Sequence, residues 1–239
     1  VFGVFILAPP SIWQRSHDYH HNHNSKLFSA NIGSWPIYSV ERFKASSKSE
    51  QFGYLFIRHP LTIFFGYIIV FFYGLSIQSF MSSPRRHKDS LLAIILHLAG
   101  SAAVCWFLGW QVWLLSIGVP FMVACMIGSY LFYAQHNFPG VTFKGNIEWS
   151  YDNAALDSSS YMVMNPFWKW ATANIGYHHV HHMNHRIPFY RLPEAMQSIP
   201  ELQKAKTTTL NPSDIIACFK LKVWDPRRNK MIGLSQMEA

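Results

Sequence analysis

Charge is scarce in this chain. Only 13% of its 239 residues are Asp, Glu, Lys or Arg, about half the share in an ordinary soluble domain, so a conventional water-facing surface is excluded for much of it. Cysteine is scarcer still. Cys105, Cys125 and Cys218 lie far apart and form no CxxC pair, which excludes a disulfide framework and a thiolate metal cluster. A dinucleotide-binding glycine pattern and a recognisable haem-binding segment are both missing, so any redox chemistry must draw its electrons from elsewhere. The opening "VFGVFILAPPSIW" has no initiator Met, no basic n-region and no small-residue cleavage site, and so does not read as a signal peptide. It reads as the tail of a membrane span, and the expectation is a fragment lacking its beginning.

What is abundant is grease: half the residues are hydrophobic and 16% are aromatic, which points to a membrane. The net charge of +8 does not indicate nucleic acid, because the basic residues gather between and after the apolar stretches, where cytoplasmic loops and anionic headgroups collect Lys and Arg. Three stretches without Asp, Glu, Lys or Arg run over Leu61–Phe80, Leu91–Leu108 and Val112–Ala134, each near the roughly 20 residues a membrane helix needs. Arg42, Lys44, Lys48 and Arg58 precede the first of them, and Arg85, Arg86 and Lys88 follow it. Both flanks therefore read as cytoplasmic. Leu61–Phe80 is expected to be interfacial or re-entrant. The other two are expected to form a transmembrane hairpin turning at Gly109–Gln111, with Trp106, Trp110 and Trp113 as its aromatic belt and a kink at Pro120. A third true span is the alternative, and would put the histidines near residue 20 and those near residue 180 on opposite faces.

Against this background histidine stands out. His17, His20 and His21 are spaced i, i+3, i+4, and His178, His181 and His182 repeat the spacing. On a helix each trio shares one face, where three imidazoles can converge on a metal. A solvated histidine-rich tract at a membrane boundary is the plainer reading, but it does not explain a pattern that occurs twice. Imidazole suits zinc, copper, iron and nickel alike, and six ligands exceed what one tetrahedral zinc takes. His136, in "YAQHNF" at the end of the last apolar stretch, is placed where a hairpin ligand could meet both trios. His97, inside its stretch, is expected to make a polar contact in the bundle. His59 and His87 read as loop residues, and His23, His179 and His185 fall off the repeated face.

"HDYHH", the apolar hairpin ending in "QHNF", and "NIGYHHVHHMNHRIPFYRLPEA" together resemble the membrane fatty acid desaturase family, in particular its bacterial acyl-lipid branch of the omega-6 or delta-12 type. "LKVWD", Leu221–Asp225, also fits. The resemblance implies an all-α integral membrane helical bundle with a cytosolic, histidine-rich di-iron cap. It implies two non-haem irons held by His17, His20 and His21 as the second box, His178, His181 and His182 as the third, and His136 between them. It also implies a fatty acyl lipid substrate, dioxygen, a ferredoxin or cytochrome b5-like electron donor, and a bacterial inner membrane with the boxes on its cytoplasmic face. The first box, an "HDxxH" or "HDxxxH" pattern, is absent, so the fragment alone is expected to be inactive. Residues 1–200 are expected to be a partial desaturase domain and residues 201–239 a basic cytosolic tail.

Asp18, Asp152, Asn153, Asp157 and Asn174 are the candidates to accept the free ring N–H groups and fix ring orientation. Lys204, Lys206, Lys220, Lys222, Arg227, Arg228 and Lys230 could steer an acidic donor or lie on anionic lipid. Two other functions compete: a related di-iron hydroxylase or ketolase acting on acyl or carotenoid substrates, and a membrane metal transporter. The transporter reading is weakened by spans that hold no carboxylate and one histidine.

Overall fold

A computed structural model describes residues 2–27, 34–145 and 147–237. Helices dominate, and the chain divides into two compact units: residues 1–19 with 56–131, and residues 20–55 with 132–239.

The first unit is built around the hairpin. Helices Lys88–Leu108, of 21 residues, and Trp110–Ala134, of 25, are long and apolar enough to cross a membrane. Gly109, at φ 93°, makes the whole turn between them, a conformation that glycine adopts without a Cβ penalty. Trp110 and Gln111, expected in the turn, instead open the second helix. Only 6% of the most apolar window of Lys88–Leu108 is buried, and Trp106, Phe107, Leu108 and Trp110 are all exposed. Such faces suit hydrocarbon rather than water. The Trp113 ring is half-buried and packs against Gly118 of its own helix, where an added Cβ would come within 3.2 Å of it. The helix widens into a π-type turn over Leu114–Gly118, immediately before Pro120. That turn absorbs the missing amide donor of the proline.

Leu61–Phe80 is helical but broken into Pro60–Phe64, a twelve-residue π-type helix Tyr67–Gln78, and a short turn Ser79–Ser82. Ser76 and Ser79 donate to the carbonyls five residues back, of Phe71 and Gly74, in register with the wide helix. The continuous part, Tyr67–Ser82, is shorter than the two hairpin helices. Gly66 lies so close to the Trp110–Ala134 helix that a Cβ would meet Ser129 Oγ at 2.3 Å. Val4, Leu7 and Ala93 form the core of this unit, with Tyr67, Phe71, Phe72 and Phe121 around them. His97 makes the expected polar contact, a hydrogen bond with the Tyr67 hydroxyl. His87 lies in a loop, as expected, and is buried there. Ser11 Oγ, 2.5 Å from Asp89 Oδ1, donates its single proton there and so accepts from His87 Nδ1 at 2.8 Å. This clamp fixes the first turn of the helix Pro10–His23.

Among the described residues the second unit shows two small cores. One is Phe43, Tyr54, Val223 and Ile232; the other is Tyr177, Val180, Leu192 and Leu202. Strands are only three residues long. β1 (Tyr161–Val163) pairs in parallel with β2 (Thr207–Thr209), and β3 (Val223–Asp225) pairs antiparallel with β4 (Lys230–Ile232). Asp225 Oδ1 accepts from the amides of Arg227 and Arg228 to make the β3–β4 turn. Residues 201–237 thus carry structure of their own, with Trp224 buried and its amide donating to Tyr38 O at 2.9 Å.

Candidate metal centre

The second-box histidines lie in the final two turns of helix Pro10–His23, where His20 and His21 are buried; His17 stands one turn before His21 on the same helix. Helix His178–Met183 carries the other trio. At six residues it is far below the length that is stable alone, so tertiary contacts must form it. Gly176 starts this: its carbonyl accepts from Met162 N at 2.8 Å, tying the approach to the helix onto β1. His179, facing away from the other rings, donates from Nε2 to Leu202 O at 3.1 Å and locks the opposite side.

His136 follows the last helix in a turn that its neighbours anchor. Gln135 Nε2 donates to Ile175 O at 2.8 Å, and Asn137 Nδ2 donates to the Tyr133 hydroxyl and to Cys218 O at 2.8 and 2.7 Å. These contacts explain the amides on either side of the histidine in "QHN".

The result is a convergence of ring nitrogens. His136 Nε2 lies 3.0 Å from His20 Nε2 and 2.8 Å from His178 Nε2, and His182 Nε2 lies 3.2 Å from His20 Nε2 and 3.1 Å from His178 Nε2. His21 and His181 make a neighbouring pair at 3.1 Å. The ring of His21 stacks on His182 with centroids 4.2 Å apart, so the pair adjoins the group of four. His20, His136, His178 and His182 could hold a metal ion, each offering one nitrogen.

The chemistry of this donor set fits a cation. His136 Nδ1 is 3.0 Å from Ser158 O; a carbonyl only accepts, so Nδ1 carries the proton and Nε2 presents its lone pair to the centre. A neutral imidazole has one N–H, so four clustered rings cannot satisfy one another by hydrogen bonds alone. Among the described residues His178 Nδ1 is buried without a hydrogen-bond partner, while its Nε2 is the nitrogen that faces the other rings. Burial, followed by the neighbouring histidines, holds His178 and His182 well below the ordinary imidazole pKa. Both are therefore neutral at pH 7, and no proton need be displaced for a metal to bind.

That shift has a consequence for the metal-free protein. The unfolded chain, with ordinary imidazoles near 6.5, takes up protons that folded His178 and His182 refuse. The folded state is therefore favoured above this range and loses stability as pH falls below it. Melting temperature, measured after chelation, should be lower at pH 5.5 than at pH 7.5.

Among the expected ring-orienting residues, Asn174 is placed otherwise. It sits in a left-handed turn at φ 57° and donates to Phe189 O at 3.2 Å. Asp157 lies 3.9 Å from Lys206 Nζ, and the amide of Asn153 donates to Ser150 Oγ, which caps helix Tyr151–Asp157. The partner observed at His136 is a backbone carbonyl, for which side-chain types give no signal. Asn24 was also missed. It is buried just past the second box, where Nδ2 donates to Ala154 O and Ser159 Oγ and its carbonyl accepts from Trp149 Nε1.

The fatty acid desaturase family profile matches residues 1–212. The chain belongs to the fatty acid desaturase family. A fatty acid desaturase of Bacillus subtilis is 35% identical over 235 residues, covering 97% of this chain and 65% of the relative. An sn-1 oleoyl-lipid 12-desaturase of Synechocystis is 25% identical over 202 residues, covering 82% and 56%. A chloroplastic omega-6 fatty acid desaturase of Brassica napus is 27% identical over 209 residues, covering 82% and 44%. The chain thus spans less than two thirds of the length of these relatives. Its two long apolar helices and its buried histidine cluster, which could hold a metal ion, accord with that membership.

Proposed function

We propose that this desaturase takes part in the oxygen-dependent introduction of a double bond into a fatty acyl chain, at two non-haem irons held by His17, His20, His21, His136, His178, His181 and His182. The observation that carries the reading is the meeting of four Nε2 atoms within 3.2 Å contacts, with the lone pair of His136 aimed inward by Ser158 O. His17 joins His21 and His181 at the second position by its i, i+4 spacing on a continuous helix. When bound, the irons supply the oxidising power, drawn from dioxygen and two electrons, that removal of hydrogen from an unactivated C–H bond requires. The chain's own part is to hold neutral, oriented imidazoles and to exclude water with buried walls. A ferredoxin or cytochrome b5-like donor supplies the electrons, steered by the basic C-terminal residues. The Synechocystis and Brassica relatives support assignment to the acyl-lipid omega-6 or delta-12 branch.

The test is fatty-acid profiling of a host expressing the full-length protein. A product lighter by two hydrogens supports the reading, whereas a gain of oxygen moves it to the hydroxylase class. Metal flux in proteoliposomes without product would favour a transporter, against which His97 is already engaged by Tyr67.

The boxes are proposed to face the cytoplasm of a bacterial inner membrane, with Leu61–Phe80 interfacial. In a cysteine-free background, cysteines at the exposed positions Ser47, Ser82 and Ile147 should all react with a membrane-impermeant reagent from the cytoplasmic side. Labelling of Ser82→Cys from the opposite side alone would mean that the stretch spans.

A further inference from the structure

Three consecutive buried serines, Ser158, Ser159 and Ser160, join helix Tyr151–Asp157 to β1. Buried backbone must find hydrogen-bond partners, and here the partners belong to the segments that carry the box histidines. We infer that Ser158–Ser160 is a positioning strap for the metal centre, holding the end of the second-box helix through Asn24 and the turn of His136 through Gln135, an inference that rests on the metal-binding reading above.

Asn24 follows directly on the second-box helix, which ends at His23. Its side-chain amide has two hydrogens. One goes to Ser159 Oγ at 3.0 Å and the other to Ala154 O at 3.2 Å, while the backbone carbonyl of Asn24 accepts from Trp149 Nε1 at 2.7 Å. Ser25 then turns the chain at φ 62°, and its carbonyl accepts from Lys144 N at 3.1 Å. His20 and His21 stand about one helical turn before Asn24, so a shift at Asn24 is carried to both rings.

The flanking serines hold the other side. Ser158 O accepts from His136 Nδ1 at 3.0 Å, and the Ser158 hydroxyl donates to Thr142 O at 2.5 Å, which fixes the residue that aims the ring. Ser160 N donates to Gln135 O at 3.0 Å, and Gln135 Nε2 donates to Ile175 O on the approach to His178. Met162 N, just beyond the strap, donates to Gly176 O. From Ser158 to Met162 the chain is thus bonded to the end of the second box, to the His136 turn and to the approach to the third box. Asn24 and Ser159 are positioning residues: they act by holding the ligands' orientation.

The test uses the full-length protein in detergent, loaded with cobalt(II) and challenged with a chelator. Cobalt per chain is read by elemental analysis, and ligand geometry by the cobalt electronic spectrum. Ser159→Ala and Asn24→Leu should each release cobalt at least about tenfold faster than wild type, the scale on which partners behind metal ligands act, and each should alter the spectrum. The double variant should release it no faster than Asn24→Leu alone, because both substitutions break the same bond. Asn165→Ala, which removes the cap of helix Pro166–Ala171 outside the strap, should lower the melting temperature and leave cobalt release and the spectrum as in wild type. Wild-type release and spectrum in Ser159→Ala would overturn the inference whether or not Asn24→Leu folds. An additive double variant would also overturn it, as would an equal loss in Asn165→Ala, which would trace the effect to general stability. If wild type holds no cobalt that His182→Ala releases, the metal centre fails as a whole; if that control holds and Ser159→Ala is silent, only the strap fails.

Discussion

His182→Ala should eliminate turnover and strip metal from the protein more completely than loss of any other single ring. His182 touches both groups of nitrogens: its Nε2 contacts His20 and His178, and its ring stacks face to face on His21. Removing it deletes one ligand of the buried four and the wall against which the neighbouring pair is placed. A small polar replacement cannot fill this role, because the ring is buried and its space is shared with three other imidazoles. Activity should fall below detection, and iron per chain should drop by at least half. Melting of the metal-free variant separates ligand loss from misfolding, since a chain that still unfolds cooperatively but no longer retains iron has lost the site alone. Near-wild-type iron and turnover in a folded His182→Ala protein would remove the di-iron assignment.

Gly176→Ala should be nearly as damaging without touching a ligand. A Cβ at this position would stand 2.5 Å from Met162 O, closer than any real contact, and the obstructing atom is backbone. That carbonyl cannot yield easily, because β1 is pinned on one side by Met162 N to Gly176 O and on the other by its pairing with β2. The strain therefore moves residue 176 itself, two positions before His178. A loss of about 1–3 kcal/mol is expected from such overpacking, together with weakened iron retention, because ligand geometry tolerates little displacement. Thermal unfolding and elemental analysis check this. An unchanged melting temperature with full iron would show that the β1 contact is softer than its geometry indicates.

Much of the site was legible in the sequence because its information is periodic. A trio at i, i+3, i+4 must share a helical face whatever its surroundings, and the absence of charge over Leu91–Leu108 and Val112–Ala134 marks long apolar helices by composition alone. His136 was legible from its place at the end of the last apolar stretch, and the family resemblance strengthened that reading, since one histidine has no period. Ser158 could not be read at all: its contribution is a carbonyl oxygen, which every residue has. The C-terminal stretch read as a basic tail from its Lys and Arg residues, whereas the burial of Trp224 within it depends on a partner nearly two hundred positions earlier, Tyr38, whose carbonyl accepts from its amide. Such distant partners leave no local pattern.

The six-residue helix that carries the third box has an implication for biosynthesis. Too short to persist alone, it is held by groups that the ribosome makes later: Leu202 O anchors His179, and Cys218 O anchors the turn bearing His136. A nascent chain that has just released His182 therefore possesses every box histidine but not the means to aim them. Assembly of the site thus belongs after translation has passed residue 218, once the carbonyls of both Leu202 and Cys218 are present.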